Sequence, residues 1–315
     1  METLLMTKGL RKSFPSKTGP VQAVKGVDLC VSQGEIFGFL GPNGAGKTTT
    51  LRMLATLLVP DGGEARVAGH DLIKEPDKVR KAIGYVSQVG GSDRDVSAWE
   101  DLMLQARLYG IDAKQAGKRA AQLIKTLNLE SVSARKSSTY SGGQKRRLDI
   151  ALGMMHRPAL LFLDEPTTGL DPNSRAQLWV EVKRLRDEGA TIFLTTHYMD
   201  EADELSDRIA IMDQGVIVVE GTPRHLKQQV AGDMVLLGLN SENEKAINLL
   251  KAQPYTREAA MENGKIRLYV KEGEAVLPRI LKLLDQESIP LSSVTLSQPT
   301  LDDVFLRETG RTLHA

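Results

Sequence analysis

The chain of 315 residues is long enough for one domain of ordinary to large size and a smaller second domain. Its 41 Lys and Arg residues nearly balance its 40 Asp and Glu residues, so the net charge does not favour nucleic acid or an acidic membrane as a partner. No apolar run approaches the roughly 18 residues that a membrane-spanning helix needs, and no signal-peptide pattern follows the first basic residues. We therefore expect the chain to work in the cytoplasm, with any membrane-spanning part on another polypeptide.

One cysteine and one basic run are interpreted structurally. The single cysteine, Cys30, excludes an internal disulfide and a cysteine-rich metal site, and it suits a reducing compartment. It lies in residues 27–31, which we predict as a strand, so it is expected to be a buried core thiol. The basic run at residues 145–147 is expected to be a solvated helix face.

The chain begins with two segments of strand pattern, residues 3–10 and 21–31, joined by polar turn residues. We expect the two strands to pair antiparallel. Phe14 lies at the edge of the turn, where a hairpin does not need an aromatic residue. Its ring either packs on the rim of its own sheet or lies exposed, and the sequence favours neither alternative.

The stretch that organises the chain, residues 41–49, fits G-x-x-x-x-G-K-[ST] and follows an apolar run. Glycines let the backbone curl around phosphate oxygens, Lys47 adds a positive charge, and Thr48 offers a hydroxyl to Mg²⁺. A helix predicted over residues 49–58 would point free N–H groups at the same phosphates. An ordinary glycine-rich turn is the alternative, but the strand before and the helix after favour nucleotide binding. The residues assigned to the nucleotide here are Gly41, Asn43, Gly44, Gly46, Lys47, Thr48 and Thr49.

Two weaker signals follow. A strand predicted over residues 83–86 ends next to Gln88, whose amide can reach a metal or a water. The pattern then turns helical over about residues 89–157, which predicts a helical insert in an α/β core. Near its end, Ser141 and Gln144 form a capping box around two glycines, Gly142 and Gly143. Each glycine costs about 1 kcal/mol relative to alanine, so the pair indicates close approach of an anion to this helix start.

A fully apolar run, residues 160–163, is followed by Asp164 and Glu165. Such a strand is typical of the middle of a parallel sheet, and successive side chains point to opposite faces. In a chain with a phosphate-binding loop, we interpret the two acids as an Mg²⁺ ligand and a general base. Asp171 is fully explained as a helix cap, and His197, at the end of the strand predicted over residues 191–196, is by itself more often structural.

The last part of the chain has a different pattern of predicted strands and helices. Residues 226–232 are predicted to be a linker, and residues 233–315 an accessory α+β domain with the ferredoxin-like order βαββαβ and a turn at residues 263–264. A short helix there carries Leu301, Val304 and Phe305 as an apolar stripe, which its own domain or a second subunit must cover. No phosphate-site motif lies in residues 233–315. We therefore expect a chain that ends near Gly232 to retain nucleotide binding.

Taken in order, these pieces resemble the ATP-binding cassette of ABC transporters over about residues 4–225. Residues 41–48 resemble the Walker A loop, Gln88 the Q-loop, residues 140–144 the signature, residues 160–165 Walker B, residues 169–171 the D-loop, and His197 the switch histidine. The resemblance implies an α/β fold, in which residues 1–225 form a P-loop ABC ATPase cassette with a RecA-like core, an antiparallel β subdomain and a helical signature subdomain. Residues 140–149 and 299–311 are similar to bacterial cassettes of the daunorubicin- and doxorubicin-resistance type, which are stand-alone subunits of multidrug or antibiotic exporters.

This resemblance implies a catalytic role for several matched residues. Glu165 would polarise the attacking water and His197 would stabilise the γ-phosphate and that water, with Gln88 and Lys47 as further catalytic groups. The side chains that would hold Mg²⁺ directly or through water are Thr48, Gln88 and Asp164.

The resemblance also implies partners. Phe14 would stack on the adenine of ATP, while Ser141 and Gly143 would complete the site across a head-to-tail homodimer. Asp171 would be a further nucleotide-binding residue. Transport would require a separate transmembrane permease, with this chain at the cytoplasmic face of a bacterial membrane.

Other functions stay open at this point. A cassette ATPase acting on ribosomes or nucleic acid is disfavoured by the single cassette, the absence of a heptad run and the near-zero net charge. A nucleotide-binding regulator without hydrolysis is disfavoured by the presence of Glu165 and His197. Drug efflux rests on the resemblance alone, so an exporter of lipid, peptide or sodium is the alternative.

Overall fold

The computed structural model describes residues 2–17, 19–230, 232–239, 244–262, 265–297 and 299–310. The chain divides into two compact units, Met1–Thr222 and Pro223–Ala315. Within the described residues, no helix is both long enough and apolar enough to cross a membrane.

In its described residues the first unit contains seventeen helices and strands, besides a short 3₁₀ turn at Ser137–Thr139. In chain order they are β1 (Thr3–Phe14), β2 (Val21–Ser32), β3 (Ile36–Leu40), α1 (Lys47–Leu54), β4 (Gly62–Val67), β5 (His70–Asp71), α2 (Pro76–Ala82), β6 (Ile83–Val86), α3 (Ala98–Leu108), α4 (Ala113–Thr126), α5 (Gly142–Met154), β7 (Leu160–Asp164), α6 (Pro172–Asp187), β8 (Thr191–Thr196), α7 (Met199–Leu205), β9 (Arg208–Asp213) and β10 (Val216–Gly221).

A six-stranded sheet forms the centre of this unit, with the strand order β10-β9-β3-β8-β7-β6. All neighbours are parallel except β10, which is antiparallel to β9. The sheet is apolar because it is covered on both faces, and every residue of β3, β7 and β8 is buried. In its middle, the ring of Phe193 lies 5.5 Å from Phe37 and 5.6 Å from Phe162. The parallel register brings the ends of β3, β7 and β8 to one edge, which is where α/β sheets bind ligands.

A second sheet, in the order β2-β1-β4-β5, is antiparallel throughout. It confirms the antiparallel start and supplies the predicted β subdomain. The prediction for Cys30 was wrong, because that residue is exposed. The side chains of β2 alternate, so Leu29 and Val31 face the core while Cys30 points outward.

The helical insert is present as α3, α4 and α5, which share a buried apolar core. The basic run at residues 145–147 was wrongly interpreted as a solvated face. Arg146 and Arg147 are only 6% and 8% exposed. The guanidinium of Arg147 donates to Glu181 Oε2 at 2.8 Å and to Gln177 Oε1 at 2.7 Å, so it ties α5 to α6.

The helix after the phosphate-binding loop is shorter than predicted. It was expected over residues 49–58, whereas α1 begins at Lys47 and ends at Leu54. Thr56 has a φ of 61°, a left-handed conformation that terminates a helix. The apolar residues that follow are therefore in a turn, and Leu57 is exposed.

The second unit contains eight helices and strands in its described residues. They are α8 (Pro223–Gln229), β11 (Asp233–Leu239), α9 (Glu244–Lys251), β12 (Thr256–Glu262), β13 (Lys265–Val270), α10 (Gly273–Gln286), β14 (Leu291–Ser297) and α11 (Leu301–Thr309). The sheet order is β12-β13-β11-β14 with antiparallel neighbours, which is the ferredoxin-like arrangement expected from βαββαβ. The predicted turn at residues 263–264 lies outside the described residues.

The connection between the units differs from the predicted linker at residues 226–232. The boundary between the two units along the chain lies after Thr222. Most of the predicted linker belongs to α8, a helix of the second unit that contacts α11. The apolar stripe of α11 is covered within the chain, since Leu301, Val304 and Phe305 are all buried. A second subunit is thus not needed to cover this stripe.

Candidate nucleotide site

The phosphate-binding loop follows β3 and has the backbone that its glycines predict. Gly44 and Gly46 have φ values of 82° and 110°, which only glycine adopts without strain. A Cβ on Gly46 would lie 2.4 Å from the carbonyl oxygen of Ala23, so the close approach of β2 also requires glycine here. The helix α1 starts directly after the loop and has no side-chain cap. Its first N–H groups are therefore available to an anion.

Lys47 lies across this loop and is buried. Its Nζ donates to the carbonyl oxygens of Gly41 at 2.7 Å and Pro42 at 3.1 Å, and it lies 3.6 Å from Glu165 Oε1. Burial lowers the pKa of Lys47, while the charges of Glu165 and Asp164 oppose that change. The ammonium group is held between the loop and the two acids, where it can meet a phosphate oxygen.

The two acids at the end of β7 face different partners, as their positions on a strand predict. Asp164 Oδ1 accepts hydrogen bonds from Thr48 Oγ1 at 3.2 Å and from Thr195 Oγ1 at 2.7 Å. A hydroxyl and a carboxylate oxygen side by side are ligands of the type that Mg²⁺ prefers. Asp164 is buried, so its carboxylate depends on these contacts.

Glu165 is the point on which the other site residues converge. Its Oε2 accepts from Gln88 Nε2 at 3.2 Å and from Thr168 Oγ1 at 3.2 Å. Nδ1 of His197 lies 3.2 Å from the same oxygen, but the ring is not aligned for a hydrogen bond. Three residues predicted separately from sequence, Gln88, Glu165 and His197, are therefore in one cluster with Lys47.

The backbone of Glu165 is strained. Its φ is 44°, in the left-handed region that costs about 1–3 kcal/mol for a residue other than glycine. Its N–H donates to Thr195, with both the carbonyl oxygen and Oγ1 at 3.1 Å. Strain of this kind persists only where the surroundings fix it, and it is concentrated at functional sites.

Phe14 is 38% exposed at the end of β1, and Val21 is its partner across the hairpin. Two residues further along β2, the carbonyl of Ala23 borders Gly46. The exposed ring thus belongs to the strand end that leads to the phosphate-binding loop. Of the two alternatives left by the sequence, the structure shows exposure of the ring, and its stacking on adenine stays a prediction.

The signature residues lie at the start of α5. Ser141 caps this helix with the predicted capping box and is exposed, while Tyr140 is buried and donates its hydroxyl to the carbonyl of Val132 at 2.7 Å. A Cβ on Gly143 would lie 3.0 Å from Ser174 Oγ. Packing against α6 therefore requires a small residue at position 143, in addition to the anion argument made from sequence.

Asp171 is the N-cap of α6, and its Oδ1 accepts from the N–H of Ser174 at 3.0 Å. Hydrogen bonds from the Ser174 side chain and backbone lower the pKa of Asp171. These contacts explain the residue locally, as the sequence suggested. Its predicted contact with nucleotide stays a prediction.

Sequence reasoning missed Thr195, Thr168 and Arg146. Thr195 and Thr168 contact the two acids directly, and Arg146 donates to the backbone on both sides of Glu165. Thr195 is the next-to-last residue of β8, the strand beside β7, and it pairs with Asp164, so the expected pairing of these two strands could have identified it. Nothing in the run at residues 145–147 distinguished Arg146 from its neighbours.

A phosphate-binding loop, an acid pair at the end of a parallel strand and a histidine after the next strand define a P-loop nucleotide hydrolase. The helical insert, whose last helix α5 is capped by Ser141, makes it a cassette. Comparison with known proteins agrees with this class. Residues 24–168 match the family model described as ABC transporter, and residues 221–309 match the C-terminal domain of DrrA1-3-like ATP-binding proteins.

Three similar proteins illustrate the relationship. The daunorubicin/doxorubicin resistance ATP-binding protein DrrA of Streptomyces peucetius is 44% identical over 307 residues, covering 96% of this chain and 92% of that protein. The linearmycin resistance ATP-binding protein LnrL of Bacillus subtilis is 35% identical, covering 98% of this chain and 99% of that protein. A dimeric ATP-binding cassette in a post-hydrolysis state with ADP and phosphate matches with a TM-score of 0.62 and 26% identity, covering 69% of this chain and 98% of that one.

The chain belongs to the ABC transporter family of ATP-binding proteins, in the group of daunorubicin- and doxorubicin-resistance cassettes. It is an ATPase of the kind that hydrolyses ATP to drive transport. The predicted fold class is confirmed, with a cassette of RecA-like core, antiparallel sheet and helical insert, and an α+β unit after it.

Proposed function

We propose that this chain energises a bacterial exporter of drugs or antibiotics, through ATP-driven dimerisation and hydrolysis. The observation that carries the proposal is the convergence of Gln88, Lys47, Thr168 and His197 on the carboxylate of Glu165 beside the phosphate-binding loop. Relatives that this chain matches are named as resistance proteins for daunorubicin, doxorubicin and linearmycin, and these names support drugs or antibiotics as the exported substrates.

In the proposed site, each side chain has a physical task. Lys47 and the N–H groups at the start of α1 hold the phosphates, and Phe14 stacks on adenine. Glu165 orients the attacking water and accepts its proton, while Gln88 and His197 hold the carboxylate and the water in place. Catalysis is then mainly positioning and charge stabilisation, as expected for phosphoryl transfer.

The residues fit Mg²⁺. Thr48 Oγ1 and Asp164 Oδ1 are 3.2 Å apart, and both are hard oxygen ligands, with the amide oxygen of Gln88 as a further one. When bound, the ion would neutralise charge on the phosphate oxygens. On the protein side, Thr195 fixes the orientation of Asp164 through its hydroxyl.

The second copy would be placed head to tail, so that each ATP lies between the phosphate loop of one chain and the signature of the other. Ser141 and Gly143 would present the N-terminus of α5 to the partner's phosphates, and Asp171 would lie at the same interface. The exposure of Ser141 and the dimeric state of the similar cassette support this arrangement.

The transmembrane permease would dock at a groove between the core and the helical insert. The groove has a volume of about 330 Å³, and Leu57, Ser87 and Tyr109 are among its lining residues. Two of these lining residues, Leu57 and Tyr109, are 57% and 40% exposed, and exposed apolar side chains at a groove are of the kind that marks an interaction site. Because Ser87 directly precedes Gln88, docking here has a short route to the ATP site.

Leu57→Glu is expected to reduce co-purification with the membrane partner by about tenfold or more, because a charge would be buried in an apolar contact. ATP turnover of the isolated chain should stay within about twofold of the unmodified chain. The matched control is Ile73→Glu, an exposed apolar residue outside the groove. The measurement is co-purification from detergent-solubilised membranes. Equal losses for both variants, or none for Leu57→Glu, would contradict this docking surface.

The same purification tests the proposal as a whole. An exporter subunit should bring a membrane protein with it and lie at the cytoplasmic face of the membrane. Co-purification of ribosomes or nucleic acid without a membrane protein would favour the alternative ATPase function. Drug accumulation in cells that carry the complex then separates drug efflux from export of lipid, peptide or sodium.

The second unit is proposed to strengthen the dimer or its contact with the permease rather than to build the site. It has its own buried core, which includes Val235, Leu237, Ile266 and Ile280. A chain ending at Thr222 should bind ATP within about threefold of the full chain but dimerise about tenfold more weakly with ATP present. Nucleotide titration and sedimentation measure the two effects. Loss of nucleotide binding would show a shared core, and unchanged dimerisation with unchanged transport would leave the unit without this role.

A further inference from the structure

The helix that starts at the signature also contacts the backbone of the candidate ATP site. Arg146 lies in the second turn of α5 and is 6% exposed. Its guanidinium donates three hydrogen bonds, all to backbone carbonyl oxygens. Nη1 bonds to Ser87 at 2.5 Å, Nη2 to Asp164 at 2.8 Å, and Nε to Pro166 at 2.8 Å.

These three carbonyls flank the two residues that meet in the site. Ser87 directly precedes Gln88, and Asp164 and Pro166 stand on either side of Glu165. Glu165 has the strained φ of 44°, which requires support from its surroundings. Thr195 holds the N–H of Glu165, and Arg146 holds the carbonyl groups before and after it.

An ion pair does not account for the burial of Arg146. The neighbouring Arg147 is paired with the carboxylate of Glu181, whereas the structure records no carboxylate in the described chain within ion-pair distance of Arg146. Burial lowers the pKa of Arg146, and the charges of Asp149, Asp164 and Glu201 oppose that change from beyond ion-pair distance, so the cost of lost hydration is only partly offset. The arrangement does fix positions, because the planar guanidinium donates to three backbone carbonyl groups and holds them in place relative to one another.

We propose that Arg146 is a positioning residue that sets the backbone at Gln88 and Glu165 for ATP hydrolysis and links both to the signature helix. The inference rests on the roles proposed for those two residues. Ser141, at the start of the same helix, would meet the ATP that the partner chain binds. Arg146 therefore connects that contact to Gln88 and Glu165, which act on the ATP bound by its own chain.

The test compares Arg146→Lys and Arg146→Gln with Arg147→Lys as the matched buried control. Both Arg146 variants should lower kcat by on the order of 10- to 100-fold, because a small displacement of the catalytic groups has effects of this size. Their affinity for ATP should change by less than about threefold, since the phosphate loop is not altered. Arg147→Lys should lower Tm at least as much, yet keep kcat of the folded protein within about threefold.

Amide hydrogen exchange gives a second readout that loss of stability alone would not move. Exchange in residues 87–91 and 164–168 should be faster in Arg146→Lys than in Arg147→Lys at matched global stability. Unchanged kcat in both Arg146 variants, or an equal loss of kcat in Arg147→Lys, would overturn the inference. Glu165→Gln in the same assay distinguishes a failure of the role proposed for Glu165 from a failure of the role proposed for Arg146. Full turnover there refutes the proposed role of Glu165, whereas an inactive Glu165→Gln beside a fully active Arg146→Lys refutes only the role of Arg146.

Discussion

Glu165→Gln is expected to lower kcat for ATP by about 100- to 10,000-fold, the range typical of a lost general base. This corresponds to about 3–5 kcal/mol in the activation barrier. The amide has nearly the same shape as the carboxylate but cannot take the proton of the attacking water. The phosphate-binding loop and Lys47 are unchanged, so ATP should bind within a few-fold of the unmodified affinity.

The second expected result of this change is an ATP-bound dimer that persists. If hydrolysis releases the two chains, blocking it should shift the sedimentation coefficient in the presence of ATP. Glu188→Gln is the matched control, because Glu188 is exposed and accepts hydrogen bonds only from Gln122 and Thr126 among the contacts described for it. Full turnover in Glu165→Gln would contradict its assignment as the base.

Mixing two inactive variants should restore activity if each ATP site is shared between two chains. Lys47→Ala damages the phosphate loop, and Ser141→Arg places a bulky cation at the exposed start of α5. Each variant alone has both sites damaged. A heterodimer has one site with both defects and one intact site. Equal mixing should therefore recover roughly a quarter of the unmodified activity, since about half of the dimers are heterodimers with one working site each.

Steady-state ATPase activity over a range of mixing ratios measures this recovery. Ser138→Arg is the control for a cation near the signature, because Ser138 is exposed but is not the helix cap. No recovery at any ratio would argue for sites completed within one chain, or for strict coupling that silences the intact site.

Local sequence determined the elements of this chain well. The helices and strands of the second unit follow their apolar periodicity, which depends on each segment alone. For the same reason the glycines of the phosphate-binding loop and the cap at Ser141 were readable, because backbone conformation and capping involve neighbours in the chain. Asp164 and Glu165 were interpreted from the apolar strand that they end or follow, and the ends of parallel strands meet at one edge. Gln88 and His197 became candidates only through the resemblance to the cassette family.

Burial was harder to read than element type. Cys30 was expected inside and is exposed, whereas Arg146 and Arg147 were expected outside and are buried. In each case the sequence predicts which side of the strand or helix a residue lies on, but it does not predict whether another element packs against that side. The outward face of β2 carries Cys30, and α6 and the acid-bearing turn after β7 cover the two arginines.

The sequence by itself therefore determined the family, the order of the elements and most of the residues at the candidate site, since these depend on motifs and local periodicity. Only the tertiary structure decided that Gln88, Lys47 and His197 meet at Glu165, and that Thr195 and Arg146 support its backbone. The physical reason is that these contacts join segments far apart in sequence. Their geometry follows from the register of β7 beside β8 and from the packing of α5 against the turn after β7, which no local pattern encodes.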